Sequence, residues 1–313
     1  VEGDEYDTAY FDKGPKFLHY RPKTVLLTSI EFDHADIYRD LDHVKESFRK
    51  LARLIPPDGL LVACADYPDV IEVSREARCP VAYYSVGDKA PELPAGAELH
   101  RVASLPEEGG FNRFRVDADG PVCRLRLPGR HNAANAAAVA IALERAGFAP
   151  DRIAVAMAGF EGVRRRQEVV GEFGGVLVVD DFAHHPTAVR ETIRAVRGRW
   201  PGRRVIAVFE PRSNTSRRNV FQKEFAQALA EADAVIVAGV FGAGKIPENE
   251  RMSPGQLAAS VLALGRDASF VAEVDDIVAR LSEACRPGDL VLLMSNGGFG
   301  GIQQKLARRL TPA

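Results

Sequence analysis

The sequence predicts an α/β protein of two domains, each built on a mainly parallel sheet, and three observations carry that expectation. Apolar runs of strand length alternate with segments of helical period almost throughout, the pattern expected where helices layer onto sheets. The chain has 313 residues, where a prior of about 150 residues per domain suggests two. The alternation breaks near residues 160 to 168, at the basic stretch Arg164-Arg-Arg166, and then restarts. Domains at 1–166 and 167–313 are therefore expected.

In the first half, Thr24 to Ile30 reads as a strand, Leu41 to Leu54 as a helix, Gly59 to Cys64 as a strand and Val70 to Arg78 as a helix. From Ala97 to Pro128 short β segments are broken by Gly-Gly and Ala-Asp-Gly turns. Two Ala-rich helices follow, His131 to Ala146 and Asp151 to Gly159. The second half restarts with Val169 to Val179, then offers strands at Val205 to Phe209, Ala234 to Val240, Ser269 to Val274 and Leu290 to Met294. Between them lie segments of period 3.6, such as Val220 to Ala232 and Ile277 to Ala284.

Composition excludes several classes. A hydrophobic content of 46% with 27% charged residues describes an ordinary globular chain, and a formal net charge of −2 lacks the basic excess of nucleic-acid modules. No window holds the run of about 18 apolar residues that a membrane span needs. Cys64, Cys79, Cys123 and Cys285 are scattered without a C-x-x-C pair, which argues against a zinc ribbon or disulfide scaffold and fits a reducing, cytoplasmic setting. The chain begins Val-Glu-Gly-Asp without an initiator methionine or signal sequence, so a fragment with its native start upstream is expected.

Gly239-Val-Phe-Gly-Ala-Gly-Lys245 follows an apolar run and matches the G-x-x-x-x-G-K spacing of a phosphate loop. The position that should supply a magnesium-binding hydroxyl is Ile246, Pro247 follows, and no helical spacing begins before Ser253-Pro254. A Gly-rich loop after a strand is the better reading.

Other segments combine into chemistry more readily. Asn132 and Asn135 stand three apart at the start of a helix and so share a face; they suit either helix capping or the donor and acceptor pair of an adenine edge. Asp180-Asp-Phe-Ala-His-His-Pro186 lies where a strand ends and a helix begins; it reads as a ligand-facing strand end or as a polar turn capped by His185. Glu31-Phe-Asp-His34 follows another strand and could contribute to a divalent-cation site. Arg164-Arg-Arg166 is a solvated linker or a phosphate clamp. Glu210-Pro-Arg-Ser-Asn-Thr215 and Ser295-Asn-Gly-Gly-Phe-Gly-Gly301 both end strands of the second half, the latter before a helix whose amides could receive a carboxylate.

Taken together in this order, the segments resemble the Mur ligase family of bacterial cell-wall enzymes. Val1-Glu-Gly-Asp-Glu-Tyr-Asp7 is similar to the acidic segment after that family's phosphate loop, and Thr28-Ser-Ile-Glu-Phe-Asp-His34 to its metal-binding strand end. His131-Asn-Ala-Ala-Asn135 is similar to its adenine motif, and Asp180 to Pro186 to the segment opening its C-terminal domain. The resemblance covers essentially the whole chain. It implies a central ATPase-like domain, truncated at its N-terminus, followed by a C-terminal Rossmann-like domain. Phe209 to Thr215 and Met294 to Ile302 resemble the members that join the murein tripeptide L-Ala-γ-D-Glu-meso-diaminopimelate to UDP-N-acetylmuramate for peptidoglycan recycling. The family's sugar-nucleotide domain and its G-x-x-G-K-T/S loop have no counterpart here, so the resemblance places them upstream of Val1 and implies that these residues alone are inactive.

From the resemblance, Glu2 and His34 would bind Mg2+, and His131, Asn132 and Asn135 the adenine of ATP. Arg166, Asp181 and His184 would act at the phosphates, with Phe182 packing on the nucleoside. Arg212, Ser213, Asn214, Thr215, Ser295 and Asn296 would hold the peptide, and a hinge near residue 166 would let the site open and close. Alternatives are a ligase that adds L-alanine to the muramate, a nicotinamide oxidoreductase that lacks its first-turn glycine fingerprint, and a non-catalytic binding module.

Overall fold

Strand β1 (Thr24–Leu27) is followed by α1 (Leu41–Leu54), β2 (Leu60–Cys64), α2 (Pro68–Ser74), β3 (Val81–Ser85), β4 (Glu98–Glu108), β5 (Phe111–Val116), β6 (Val122–Leu125), α3 (Arg130–Arg145) and α4 (Pro150–Ala158). The computed structural model describes residues 3, 5–8 and 13–311 and divides the chain into two compact units, Val1–Glu161 and Gly162–Ala313. Glu2 therefore lies outside the described residues.

The first unit holds one sheet in the order β1-β2-β3-β4-β5-β6, parallel from β1 to β4 and antiparallel from β4 to β6. Successive side chains of a strand leave on opposite faces, and the sequence is apolar on both. Leu61, Ala63 and Tyr83 pack with Val44, Ala52 and Val70 of α1 and α2, while Val62, Cys64, Ala82 and Tyr84 pack with Ala133, Ala137 and Ile141 of α3. Covering both faces is what a parallel sheet requires. At the start of α1, Asp40 accepts a hydrogen bond from the His43 amide at 2.8 Å, satisfying one of the free donors of the first turn.

The second unit runs β7 (Glu168–Phe173), β8 (Val176–Asp181), α5 (Pro186–Arg199), β9 (Val205–Phe209), α6 (Gln222–Leu229), β10 (Ala234–Val237), α7 (Pro254–Ala263), β11 (Asp267–Phe270), α8 (Val274–Ala284), β12 (Leu290–Met294) and α9 (Ile302–Leu310). Its sheet order is β11-β10-β9-β12-β8-β7, parallel except for β7 against β8. Val205, Ala207, Phe209, Leu292 and Met294 join the core under α5, α6 and α7; Ile206, Val208, Val291 and Leu293 join the one under α8 and α9. β9 and β12 are buried at every residue, as expected of strands covered by helices on both sides.

Four differences from the sequence reading have local causes. Val169 to Val179 is a hairpin rather than one strand, because Gly174 and Gly175 both take positive φ, 57° and 79°, which matches a tight two-residue turn. Val81–Ser85 is a strand that the reading passed over; it has five residues, and no helix separates it from β4 to complete the alternation. β1 stops at Leu27, the last residue paired with β2, so Thr28 to His34 is irregular chain. Val274 opens α8 instead of closing β11.

The division at Glu161 also puts Arg164, Arg165 and Arg166 in the second unit, where Arg165 and Arg166 find their contacts. Among the described residues, no helix is long and apolar enough to cross a membrane.

Candidate active site

In the second unit the site begins with strand register. β12, last of the strands in the chain, lies between β8 and β9, with Met294 opposite both Asp181 and Phe209. Three segments far apart in sequence thus end side by side at the carboxyl edge of the sheet, where open α/β folds place their ligands. Backbone bonds continue the register past the strand ends: the Ser295 amide donates to Asp181 O at 3.1 Å, and the Glu210 amide to Met294 O at 3.0 Å.

Asp181 is 3% exposed. Its Oδ2 accepts from the Gln167 amide at 2.8 Å, and its Oδ1 accepts from the Ala183 amide at 2.7 Å and from Thr192 Oγ1 at 3.3 Å. Burial pushes its pKa up, and these donors together with the nearby Arg166 charge oppose the rise without cancelling it. Asp180, also buried, takes Arg165 Nε on its Oδ2 at 3.0 Å. Burial likewise raises its pKa, against the pull of Arg165.

Arg165 was not singled out in the sequence, yet it also donates to the Ser295 carbonyl. Arg166, the arginine that was singled out, instead sets its guanidinium 5.4 Å from the Phe182 ring centroid, a distance that Arg165 shares. Phe182 meets His184 edge-on at 5.3 Å, and His184 Nδ1 lies 2.9 Å from Phe182 O. His185 occupies the N-cap position of α5, but its side chain caps nothing there; its ring packs edge-on against Phe221 at 5.1 Å. Arg166, Asp181, Phe182 and His184 thus form one group at the end of β8.

The Arg212 to Thr215 segment splits into buried and partly exposed residues. Ser213 Oγ and Ser216 Oγ lie 2.8 Å apart, and each accepts the other residue's backbone amide; Thr215 is 3% exposed. Ser295 is fully buried and donates its hydroxyl to Glu210. Arg212, Asn214 and Asn296 are partly exposed, and Asn214 Oδ1 accepts from Arg217 Nη2 at 2.5 Å. Thr215 and Ser295 are thus buried in the rim, while Arg212, Ser213, Asn214 and Asn296 keep part of their surface exposed.

In the first unit, the N-cap of α3 is Gly129, at φ 95°. Asn132 does not cap the helix: its Nδ2 donates back to Pro128 O at 2.7 Å. Asn112 of β5, absent from the sequence reading, holds the same loop by donating to Leu127 O at 3.2 Å and Gly129 O at 2.8 Å. Asn135, one turn after Asn132, is exposed, and His131 lies beside them, half-buried.

His34 lies in the left-handed region at φ 52°. Its Nε2 is 3.0 Å from Glu5 Oε1, and its backbone amide donates to Asp33 Oδ1 at 2.7 Å. Burial lowers its pKa, but the Glu5 hydrogen bond and the charges of Asp33, Glu5 and Asp36 outweigh this, so the net shift is upward. Among the described residues no group of three or more His, Cys, Asp or Glu is placed to hold a metal ion. The Glu5 carboxylate is a donor of the kind magnesium takes, since the ion commonly uses one or two protein carboxylates and completes its shell with phosphates and water.

The chain belongs to the Mur ligase family. The Mur ligase middle domain matches residues 12–143, and the Mur ligase, glutamate ligase domain matches 165–297. Within the family it is 36% identical over 314 residues to the UDP-N-acetylmuramate–L-alanyl-γ-D-glutamyl-meso-2,6-diaminoheptandioate ligase of Escherichia coli K12, which covers 98% of this chain and 63% of that protein. It is 34% identical to the UDP-N-acetylmuramate–L-alanine ligase of Chlorobaculum tepidum, over 98% of this chain and 62% of that one. The crystal structure of a murein peptide ligase from Psychrobacter arcticus 273-4 superposes with a TM-score of 0.69 at 29% identity, over the whole chain and 62% of that protein. The chain spans about 63% of the length of its E. coli relative.

Proposed function

We propose that the protein carrying this chain is a cytoplasmic, ATP-dependent ligase that joins the tripeptide L-Ala-γ-D-Glu-meso-diaminopimelate to UDP-N-acetylmuramate. The observation that carries this reading is the adjacency of Phe209 to Thr215 and Met294 to Ile302. These two segments distinguish tripeptide ligases by resemblance, and they meet along one sheet edge through the Glu210 and Ser295 contacts. The names of the E. coli and P. arcticus relatives support it.

In this reaction the lactyl carboxylate of the muramate attacks the γ-phosphate of ATP, ADP leaves, and the alanine amine displaces phosphate from the acyl phosphate to form the amide. Because anionic groups must meet, the protein's main contribution is charge neutralisation and positioning. Asn132 and Asn135, beside His131, hold the adenine, and Phe182 packs on the nucleoside. Arg166 approaches the phosphates, while Asp181 and His184 orient groups at the nucleotide. Arg212, with Asn214 and Asn296, receives the peptide. Magnesium, when bound, supplies further neutralisation, and His34 with the acidic residues at the start of the chain, Glu2 among them, would hold it.

The test supplies the full-length protein with ATP and UDP-N-acetylmuramate and compares phosphate release with the tripeptide and with L-alanine. Faster release with the tripeptide is expected. A preference for L-alanine would transfer the protein to the alanine-adding branch represented by the C. tepidum relative, and no release with either would sink the ligase reading. His34→Ala should raise the magnesium concentration for half-maximal turnover by about tenfold or more, the usual scale for disturbing a metal site. An unchanged magnesium titration would remove His34 from that site.

A further inference from the structure

The Gly239 to Lys245 loop, which looks like a phosphate cradle without its hydroxyl residue, has a different task in the fold. It follows β10, the neighbour of β9, and so lies next to the segment that carries Arg212. Phe241, at its crown, is 48% exposed. The Arg212 guanidinium lies over the Phe241 ring, 3.6 Å from its centroid.

Three hydrogen bonds fix the platform. The Phe241 amide donates to Pro211 O at 3.0 Å, Arg217 Nη1 donates to Phe241 O at 3.4 Å, and Arg217 Nη2 reaches Asn214. Gly297, after β12, makes room for it: a Cβ there would stand 1.8 Å from Arg212 Nε, so the side chain crosses a position that only glycine leaves open. Buried Glu210, itself held by Ser295, sits 3.6 Å from Arg212 Nη1. Apart from this ion pair, no side-chain hydrogen bond from the Arg212 guanidinium is formed among the described residues, so the fork still has donors to offer a ligand.

We propose that Phe241 and Gly297 are positioning residues that hold Arg212 edge-on for a carboxylate of the incoming peptide, making the Gly239 to Lys245 loop a specificity element for acidic peptides. The chemistry follows from the shape of the site. A guanidinium laid over an aromatic ring and passing close to a glycine keeps its edge to offer, and that edge matches a carboxylate through two parallel hydrogen bonds. A fork already fixed loses less freedom on binding than a mobile one. The inference rests on the peptide-ligase reading for the identity of the occupant.

The experiment measures KM and kcat of the full-length protein for tripeptide and for ATP in Phe241→Leu, Phe241→Tyr, Gly297→Ala and Arg212→Ala. Phe241→Leu should raise the tripeptide KM about fivefold, the scale of one partly exposed cation–aromatic contact, with kcat and the KM for ATP moving less than about twofold. Phe241→Tyr should restore the wild-type value, and Gly297→Ala should reproduce the Arg212→Ala phenotype. A tripeptide amidated at its free carboxyl groups should bind wild type and Phe241→Leu alike. If Arg212→Ala raises the tripeptide KM but Phe241→Leu does not, or if Phe241→Leu shifts both KM values equally, the platform is overturned while the peptide site stands. If Arg212→Ala itself leaves the tripeptide KM unchanged, the peptide-site reading falls first and the platform with it.

Discussion

Asp181→Ala is expected to destabilise the second unit by about 3 kcal/mol, because it strips the partner from several buried donors at roughly 1–3 kcal/mol each with partial relaxation. Asp181 is 3% exposed and accepts from the Gln167 amide, the Ala183 amide and the Thr192 hydroxyl. These bonds tie the segment before β7 and the first turns of α5 to the end of β8. For a unit of this size the loss corresponds to a drop in melting temperature of roughly 6–12 °C. Asp181→Asn keeps one acceptor oxygen but turns its NH2 toward a buried backbone amide, so it should cost about 2 kcal/mol, less than Asp181→Ala. Stability and chemistry are then read apart below both melting transitions: in the full-length protein, folded Asp181→Asn should lose turnover by about 100-fold, the scale of a lost transition-state contact. Undiminished turnover would leave Asp181 a purely architectural role.

Arg165→Ala should be the second costly change, at about 2–4 kcal/mol in urea unfolding of this chain at neutral pH. Removing one partner of a buried pair leaves the other charge uncompensated, and the figure allows for the partial exposure of Arg165. Asp180 is 5% exposed, and its pKa is already raised by burial with Arg165 in place. The ion pair therefore offsets desolvation more than it adds stability of its own. Replacing Asp180 by Asn in the same variant removes the stranded charge, so the double variant should be more stable than Arg165→Ala alone. Equal stabilities would show that Asp180 does not depend on the guanidinium.

The pH dependence has a definite sign. A carboxyl whose folded-state pKa is raised binds its proton more readily in the native state, so native stability gains as pH falls through that pKa. Arg165→Ala raises it further and begins the gain at higher pH. The deficit relative to wild type should accordingly shrink on acidification and be greatest at neutral pH and above.

Much of this site was visible as a pattern of endings. Asp180, Glu210 and Ser295 each stand where an apolar run gives way to polar residues, and such a run in a layered α/β chain ends at a sheet edge. The family motifs were equally legible, because each is a contiguous segment. Residues whose importance arises only across the fold escaped. Arg165 differs from its neighbours Arg164 and Arg166 in nothing local; its distinction is contact with Asp180 and with Ser295, 130 positions away. Asn112 carries no motif and acts by holding the loop before α3 from a neighbouring strand. Phe241 carries no motif within its glycine loop; its distinction is the Arg212 guanidinium stacked on its ring, from a segment of the neighbouring strand.

By itself, then, the amino-acid order determined the kinds of elements, their approximate extents, and which short segments carry donors, acceptors and charge. These are matters of neighbouring residues: side-chain period, turn chemistry and capping act over a few positions. Only the tertiary structure decided that β12 inserts between β8 and β9, that Glu210 and Ser295 become partners, and which arginine answers which carboxylate. Strand order and ion pairing minimise exposed apolar surface and unpaired charge over a whole unit at once, and no local stretch of sequence contains that sum.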